Sequence, residues 1–341
     1  MAKRNILILT GAGFGKFGKD AGLPLEEEIM PFGVKVCEKK KPELLEGLTK
    51  QWQKIDKSKS FKEYSFEEAL TKVILEEQLS FRTEEEKLEL LDIKLGILEI
   101  LVQSLKKPLM SESEIPRHYF DFIYRYKDYA HFATLNYDYL IEKILIQEKI
   151  PWNYGIDVDE NDFSLGHSYL KGEEGDLPDV FRYYKLHGSF NWHFCWRCQN
   201  IRISDLRDFG ISGETFSKTD RFTQLCDKCV HNSGQAVLQP LVIPPSAIKY
   251  YNIPIFLELW FIFTRIIQQV EKIILIGCSV RDDDTMLIQA LYNLSQKNPN
   301  LRKIIVINPD KKIENKVRSY TNFNNIKSYT LLEYFLEDAL N

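Results

Sequence analysis

Residues 5–13 read Asn-Ile-Leu-Ile-Leu-Thr-Gly-Ala-Gly, a continuous apolar run that ends at glycine. An unbroken apolar run of this length is typical of a strand buried on both faces of a parallel sheet. Four comparable runs follow along the chain, at residues 131–134, 183–186, 272–276 and 303–307. The sequence therefore predicts an α/β protein built around a parallel sheet.

Short polar or glycine-containing motifs follow these runs, at the point where each predicted strand ends. Ligands of open α/β sheets bind just beyond the carboxyl ends of the strands, so the motifs predict a nucleotide-binding crevice. They are Gly-Ala-Gly at 11–13, Leu-Asn-Tyr-Asp at 135–138, His-Gly-Ser at 187–189, Gly-Cys-Ser at 277–279 and Asn-Pro-Asp at 308–310.

The glycines after the first run are the candidate phosphate loop. Gly13, Gly15 and Gly18 satisfy the spacing G-x-G-x-x-G, which lets a backbone approach a pyrophosphate closely. The match is weak by itself, and the acidic residue that usually ends the second strand, about 20 positions further on, is missing. We therefore expect a dinucleotide site, but not a standard dehydrogenase.

Asn136, Asp138 and His187 are the candidate chemical groups of this crevice. Asn136 could orient a water molecule or a sugar hydroxyl, and Asp138 could accept a hydrogen bond from a carboxamide. The alternative is a turn in which both side chains cap backbone N–H groups. A histidine can accept a proton near neutral pH. A lone histidine is more often structural, but His187 lies between the phosphate loop and a cluster of cysteines.

Two cysteine pairs, Cys195-x-x-Cys198 and Cys226-x-x-Cys229, predict a metal site. Two such pairs supply the four soft ligands of a closed tetrahedral zinc site. The 27 residues between the pairs exceed the usual spacing of roughly 15–20, which predicts an inserted loop between two zinc knuckles. Two disulfides or a redox dithiol are the alternatives, but no secretory segment accompanies the cysteines. Structural zinc is the favoured interpretation.

The bulk composition is that of an ordinary globular protein. A chain of 341 residues predicts two domains, or one domain with large insertions. The net charge of −4 gives no basic surface for non-specific nucleic-acid binding. The apolar run 6–9 is too short for a signal peptide, and residues 253–267 are too few and too charged for a membrane span. We expect a cytoplasmic protein with no direct binding to nucleic acid or membrane.

The segment between the first two predicted strands is rich in helix signals. Capping boxes begin at Ser65 and Thr83, each before an apolar-periodic stretch. One amphipathic helix face is predicted from Leu91, Leu95, Leu98 and Val102. We interpret the whole segment as packing and assign no chemistry to it.

The order of the motifs resembles that of a sirtuin over residues 4–310. Gly-Ala-Gly, Thr-x-Asn-x-Asp, Lys-Leu-His-Gly, the two cysteine pairs, Gly-x-Ser and Ile-Asn-Pro follow one another as they do in sirtuins. The Asn-Tyr-Asp form at 136–138 and Ser-Val-Arg-Asp-Asp-Asp at 279–284 resemble the sirtuin-like proteins of bacterial anti-phage defence, which are NAD hydrolases.

This resemblance implies a Rossmann-like domain that carries a helical module and a zinc-ribbon module. The expected segments are the first part of the Rossmann-like domain at 1–35, the helical module at 36–130, the continued domain with the catalytic motifs at 131–192, the zinc ribbon at 193–235 and the completed domain at 236–341.

The resemblance also implies roles for individual residues. Asn136 and His187 would be the catalytic pair, and Asp138 would hold the nicotinamide amide. The residues that would contact the rest of the dinucleotide are Gly11, Ala12, Gly13, Gly277, Ser279 and Asn308, the last on the adenosine ribose.

Two departures from the deacylase sirtuins bear on function. Their Gly-Ile-Pro-x-Phe-Arg stretch is replaced by Gly22-Leu-Pro24 followed by Leu-Glu-Glu, so an arginine is missing, and we expect Lys16 or Lys19 to replace it. Their Phe-Gly-Glu segment, which pairs with the acyl-lysine peptide, is replaced by Leu-Val-Ile-Pro-Pro at 241–245. We therefore expect the chain to split NAD without holding a peptide.

The expected function is hydrolysis of NAD to nicotinamide and ADP-ribose, as an effector of anti-phage defence that depletes NAD. Because unregulated hydrolysis would kill the host, we expect a partner chain to gate the activity. The resembling systems use HerA-type ATPases or Argonaute-like proteins, and their sirtuin subunits often form homo-oligomers. An NAD-dependent protein deacylase and a silent NAD- or ADP-ribose-binding subunit are the alternatives.

Overall fold

The computed structural model describes residues 4–16, 22–79, 83–110, 115–156, 180–195, 197–203, 226–229, 238–244 and 253–339. The strands are β1 (Ile6–Thr10), β2 (Ala130–Thr134), β3 (Trp152–Asn153), β4 (Phe181–Lys185), β5 (Gly188–Cys195), β6 (Ile201–Ile203), β7 (Leu238–Val242), β8 (Lys272–Ile276), β9 (Lys303–Ile307) and β10 (Ile326–Tyr329). The helices are α1 (Glu26–Lys40), α2 (Pro42–Trp52), α3 (Phe66–Leu79), α4 (Glu84–Met110), α5 (Arg117–Tyr126), α6 (Leu140–Gln147), α7 (Pro254–Ile267), α8 (Thr285–Lys297), α9 (Lys312–Thr321) and α10 (Leu332–Asp338).

Seven strands form the central sheet, in the order β10-β9-β8-β1-β2-β4-β3. Each neighbouring pair in it is parallel. The predicted α/β fold with a parallel sheet is confirmed, and all five predicted strands are present. Two edge strands were missed: β3 has only two residues, and β10 is only partly buried. Neither carries the apolar run on which the prediction depended.

Three adjacent strands of the sheet, β1, β8 and β9, explain why the sequence folds this way. From their second residue onward they are fully buried, because helices cover both faces of a parallel sheet. Their registers are in step, with Ile8 paired to Ile274 and Ile274 paired to Ile305. Burial of these branched side chains on both faces is the largest favourable contribution to this part of the fold.

Beside β1 the chain switches from adding strands on one side of the sheet to adding them on the other, and this switch creates the crevice. From β1 the chain reaches β2 on one side, whereas β8, β9 and β10 are added on the other. The loops that leave these strands remain tied to the sheet: Gly11 N donates to Ile276 O at 2.9 Å, and Leu135 N donates to Thr10 O at 2.9 Å. A switch of this kind is where doubly wound folds bind ligands.

Helices α1 to α5 lie between β1 and β2 in the sequence, and the bounds 36–130 of the helical module stay a prediction. Both predicted capping boxes are present: Ser65 N donates to Glu68 Oε2 at 2.9 Å, and Thr83 N donates to Glu86 Oε2 at 2.8 Å. Helix α4 packs against α1, α2 and α3.

A second, three-stranded sheet carries the cysteines. Its order is β6-β5-β7, and both pairs are antiparallel. The inserted loop expected between the two zinc knuckles lies largely outside the described residues. Across the described part of the chain, no helix combines the length and the apolar character needed to cross a bilayer.

Candidate active site

A cavity of about 340 Å³ opens at the carboxyl edge of the central sheet, beside β1. All the residues predicted for catalysis and for dinucleotide contact line it, although they come from five separate segments of the chain. These residues are Gly11, Ala12, Gly13, Asn136, Asp138, His187, Gly277, Ser279 and Asn308. The structure therefore brings the whole predicted set together, and their individual roles stay predictions.

Asn136 connects the loops that follow β1 and β2. Its Nδ2 donates to Gly11 O at 3.0 Å, and its backbone N–H donates to Thr134 Oγ1 at 3.0 Å. Asp138 fits the turn alternative as well as the pocket, because its Oδ1 accepts a hydrogen bond from Leu140 N at 2.9 Å at the start of α6. Both side chains are thus held in fixed positions on the cavity wall.

His187 is buried and lies beside a carboxylate that we did not predict. Its Nε2 is 3.0 Å from Oδ2 of Asp284, and both side chains are 3% exposed. The two atoms lie close together, although Nε2 has no hydrogen bond of regular geometry with any described residue. Asp284 is also the N-cap of α8, where it accepts from Leu287 N at 3.4 Å. Backbone capping therefore fixes the carboxylate that faces the imidazole.

A buried ion pair lies beneath the Asn136 loop. Lys185 at the end of β4 lies 2.9 Å from Oε1 of Glu142 on α6, and both side chains are fully buried. Lys185 also donates to the backbone carbonyl of Asp138, and Tyr154 OH donates to Glu142 Oε1 at 3.1 Å. Burial raises the pKa of Asp138 and of Glu142, and the charge of Lys185 opposes that increase in pKa. This network holds α6 and the Asn136 loop against the sheet.

The glycine loop after β1 packs directly on the loop after β8. Gly277 has φ +62°, and a Cβ there would lie 2.3 Å from Phe14 N, so only glycine fits. Gly13 N donates to Gly277 O at 3.0 Å, and Gly11 N donates to Ile276 O at 2.9 Å. These two amides are therefore already paired, and the glycines provide close approach rather than free donors.

Charges on the cavity wall are mostly negative. Among the described lining residues, Arg281 is the only lysine or arginine, and it pairs with Glu26 and Asp283. The lysines expected to replace the missing arginine are not found there: Lys16 pairs with Glu28 at 2.8 Å, and Lys19 lies outside the described residues. The cation that the structure brings to this cavity thus comes from the loop after β8, not from the loop after β1.

Comparison with known proteins gives a family. The model described as SIR2-like domain matches residues 130–329, more than half of the chain. The chain belongs to the SIR2-like domain family. Membership implies binding and processing of NAD, and the fold is sirtuin-like. No curated protein sequence matches this SIR2-like chain.

Three solved structures resemble the SIR2-like chain along nearly its whole length. One, titled "The Structural basis for Sirtuin Substrate affinity", has 12% identity and a TM-score of 0.42, and the match covers 99% of this chain and 92% of the other. A Sir2 mutant with a p53 peptide and NAD has 13% identity and a TM-score of 0.39, with coverage of 99% and 94%. A Sir2 complex with p53 peptide and NAD+ has 11% identity and a TM-score of 0.37, with coverage of 99% and 95%. Family membership rests on the domain match alone.

The four predicted cysteines of the SIR2-like chain converge in space. The sulfurs of Cys195, Cys198, Cys226 and Cys229 all lie within 4.8 Å of one another. The sulfur–sulfur distances are 3.6 Å for Cys195 to Cys229 and 3.5 Å for Cys198 to Cys226, too long for disulfides. Zn–S bonds of about 2.3 Å give tetrahedral sulfur–sulfur edges of about 3.8 Å. The cluster therefore fits a structural zinc ion, and it resembles that of a zinc ribbon.

Glu67 is a lining residue of the SIR2-like chain that our sequence reasoning missed. It lies on α3, in the segment to which we assigned no chemistry, and is 4% exposed at the cavity wall. A signal was present, because helical periodicity puts Glu67 on the same face as Leu70 and Ile74, which are both buried. A carboxyl group on an apolar helix face needs a specific reason. The segment therefore contributes a buried carboxyl group to the cavity wall, and its interpretation as packing alone stays a prediction.

Proposed function

We propose that the chain hydrolyses NAD to nicotinamide and ADP-ribose and acts as a defence effector that depletes NAD. The observation that carries this proposal is the position of His187. It is buried beside Asp284, and it lines the same cavity as Asn136 and the glycine loop. An amide, a proton acceptor and a dinucleotide loop at one cavity are the parts that this reaction needs.

The chemistry follows from the leaving group. Nicotinamide departs as a neutral pyridine, so no general acid is required, and the ribose passes through an oxocarbenium-like state that must be stabilised and positioned. Asn136 would orient a water molecule at C1′. The oxygen of that water would form the new bond to C1′ as the C1′–N bond to nicotinamide breaks. His187 would accept the proton of that water or of a ribose hydroxyl, and Asp284 would stabilise the imidazolium. The products are nicotinamide, ADP-ribose and one proton.

The backbone around β7 supports hydrolysis rather than transfer to a peptide. The segment where deacylase sirtuins hold their peptide corresponds in sequence to residues 241–245, of which 241–244 are described. Ile243 donates its N–H to His187 O at 2.9 Å and accepts from Tyr137 OH at 3.0 Å, and Leu241 and Val242 pair with β5. Because the N–H and the carbonyl of Ile243 already have partners, this residue is not free to pair with a peptide strand.

A nicotinamide-release assay tests the proposal. We expect release from NAD without any acylated peptide, and we expect Asn136→Ala and His187→Ala to reduce turnover by at least about 10²-fold with folding intact. His118→Ala is the matched control, since His118 pairs with Glu333 at 3.5 Å and does not line the cavity. Release that depends on acylated peptide would support a deacylase instead. Calorimetric binding of NAD with no turnover, even with a partner present, would indicate a silent binding subunit.

We extend the proposal to regulation, because unrestrained depletion of NAD would kill the cell that makes the protein. We expect the isolated chain to have low turnover, and a partner such as a HerA-type ATPase or an Argonaute-like protein, together with assembly into a homo-oligomer, would supply the trigger for activity. Purified chain assayed with and without the product of a neighbouring gene tests this, and equal turnover in both assays would contradict it.

A further inference from the structure

Glu67 is a buried carboxyl group that the proposed reaction does not use. It lines the cavity with 4% exposure, and its Oε2 has no hydrogen-bond partner among the described residues. Buried polar atoms in folded proteins are nearly always paired, and a group left without a partner points to an absent ligand or to a functional role. The structure thus presents an unsatisfied acceptor at the wall of the candidate site.

Glu67 lies at the end of the cavity that contains Asn136 and His187. Phe66, the preceding residue, places its ring 6.0 Å from that of Tyr137, whose ring is 6.4 Å from the imidazole of His187. Tyr137 immediately follows Asn136. The charge of Glu67 itself raises the pKa of Tyr137, so Glu67 lies on the side of the proposed catalytic pair, where the nicotinamide end of the substrate would be bound.

The charged groups that raise the pKa of Glu67 are acidic, and Arg281, the one lysine or arginine among the described lining residues, is paired with Asp283 and Glu26. Asp283 of the loop before α8, Glu68 of α3 and Glu27 of α1 each raise the pKa of Glu67. Burial is the largest cause, and together these effects raise the pKa of Glu67 to about 8. A carboxyl group in this environment is protonated at neutral pH, and a cation beside it would favour the ionised form.

We propose that Glu67 recognises the positive charge of the pyridinium ring and so selects the oxidised dinucleotide over its reduced form. The proposal rests on NAD as the substrate and names a specificity residue for that same site. Of the parts of NAD, the phosphates are anionic and the riboses and adenine are neutral, so the pyridinium is the only cation. The dihydronicotinamide ring of NADH has the same size and carboxamide but no charge.

Binding should therefore release a proton. Below about pH 8 the free chain holds Glu67 protonated, and the pyridinium displaces that proton to solvent as it binds. Above this pH the carboxylate is already ionised, and no proton leaves. NADH should release none at either pH, because its ring brings no charge.

The test is calorimetry of NAD and NADH on the full chain in the Asn136→Ala background, which prevents turnover during titration. We expect NAD to bind more tightly than NADH, and Glu67→Gln to reduce that ratio by about tenfold. Glu38→Gln is the matched control: it makes the same change at an exposed position that does not line the cavity, where Glu38 pairs with Lys62. Titration in two buffers of different ionisation enthalpy, at pH 7 and pH 9, measures proton release.

The results distinguish a wrong role for Glu67 from a wrong substrate for the chain. If NAD binds but the ratio and the proton release are the same in Glu67→Gln, the inference is wrong while the proposed substrate stands. If Glu67→Gln weakens both dinucleotides equally, Glu67 is a packing residue and the inference is again wrong. If neither dinucleotide binds the chain in which Glu67 is unchanged, both the inference and the proposed function are wrong.

Discussion

At the residue scale, Asp284 has two functions. Asp284 caps α8 and faces the imidazole at 3.0 Å. A carboxylate in this position holds an imidazole in one orientation and stabilises its protonated form during the reaction. Asp284 acts through His187, so it is a positioning residue.

Asp284→Asn should separate these two functions. Asparagine is as good an N-cap as aspartate, so the helix should be retained, while the imidazole loses its counter-charge. We expect kcat for NAD hydrolysis to fall on the order of 10²-fold with KM little changed. Asp282→Asn is the matched control, because Asp282 is exposed, pairs with Lys316 at 2.9 Å and does not line the cavity. A rise in KM with unchanged kcat would show that Asp284 serves binding instead.

Glu67 should also make stability depend on pH. Its folded pKa of about 8 lies above the ordinary value of 4.5, so between these values the native state binds a proton that the unfolded state does not. Stability should therefore fall as pH rises from about 5 to 8, by at most about 1.4 kcal/mol per pH unit. Urea denaturation across this range measures it. Glu67→Gln should flatten the decline, and an equal decline in both proteins would contradict the assignment.

At the element scale, the Lys185–Glu142 pair fixes α6 to β4 beneath the site. Lys185→Met leaves a buried carboxylate without its cation, and we expect a loss of about 3–5 kcal/mol in the free energy of unfolding. Lys62→Met is the control: its partner Glu38 lies at 3.2 Å in an exposed pair, worth less than about 1 kcal/mol.

A second variant separates charge burial from simple loss of packing. Glu142→Leu in the Lys185→Met protein removes the unpaired carboxylate and should recover part of the lost free energy of unfolding. Urea denaturation measures both proteins. If the double variant is no more stable than Lys185→Met alone, the unpaired charge is not the cause.

The sequence predicted those elements whose local signals agree with their surroundings. Apolar runs at β1, β8 and β9 coincide with the observed strands because both faces of each strand are buried. The helix face predicted on α4 was too narrow: Ile93, Ile97 and Ile100 are at most 1% exposed, whereas Leu91 and Leu95 are only half-buried. Burial there follows from contact with three helices, which periodicity within one helix does not reveal.

The candidate site was predictable where strand ends carry it. The motifs after β1, β2, β4, β8 and β9 meet at one sheet edge, as the rule for parallel sheets requires. Asp284 and Glu67 were missed because tertiary packing, not sequence spacing, brings them to the cavity. The first lies five residues beyond Ser279, and the second is on a helix far earlier in the chain.

At the scale of the whole molecule, β5 connects the two sites. It begins at Gly188, directly after His187, and ends at Cys195, the first cysteine of the cluster, with all eight residues buried. We propose that the cluster binds one zinc ion, which holds β5, β6 and β7 together. Loss of the metal should therefore also disturb the position of His187.

Cys226→Ser should reduce bound zinc from one ion per chain to none, as measured by atomic emission. We expect hydrogen exchange of the β5 amides to increase and NAD hydrolysis to decline, because a structural zinc ion contributes directly to folding. Cys37→Ser is the control, since Cys37 is a fully buried thiol on α1 outside the cluster. Full activity and unchanged exchange after removal of the metal would contradict the connection through β5.

The order of the large sheet restricts how copies of this chain can assemble. Strands with free edges invite addition of a strand from another molecule, and proteins resist this with very short edge strands or with lysine. Here one edge is β3, of two residues, and the other is β10, where Lys327 pairs with Asp338 of α10 at 2.6 Å. Growth by continuation of the sheet from one copy into the next is therefore disfavoured at both ends. Any ring or filament of this protein should be built from surfaces other than the two edges of the large sheet.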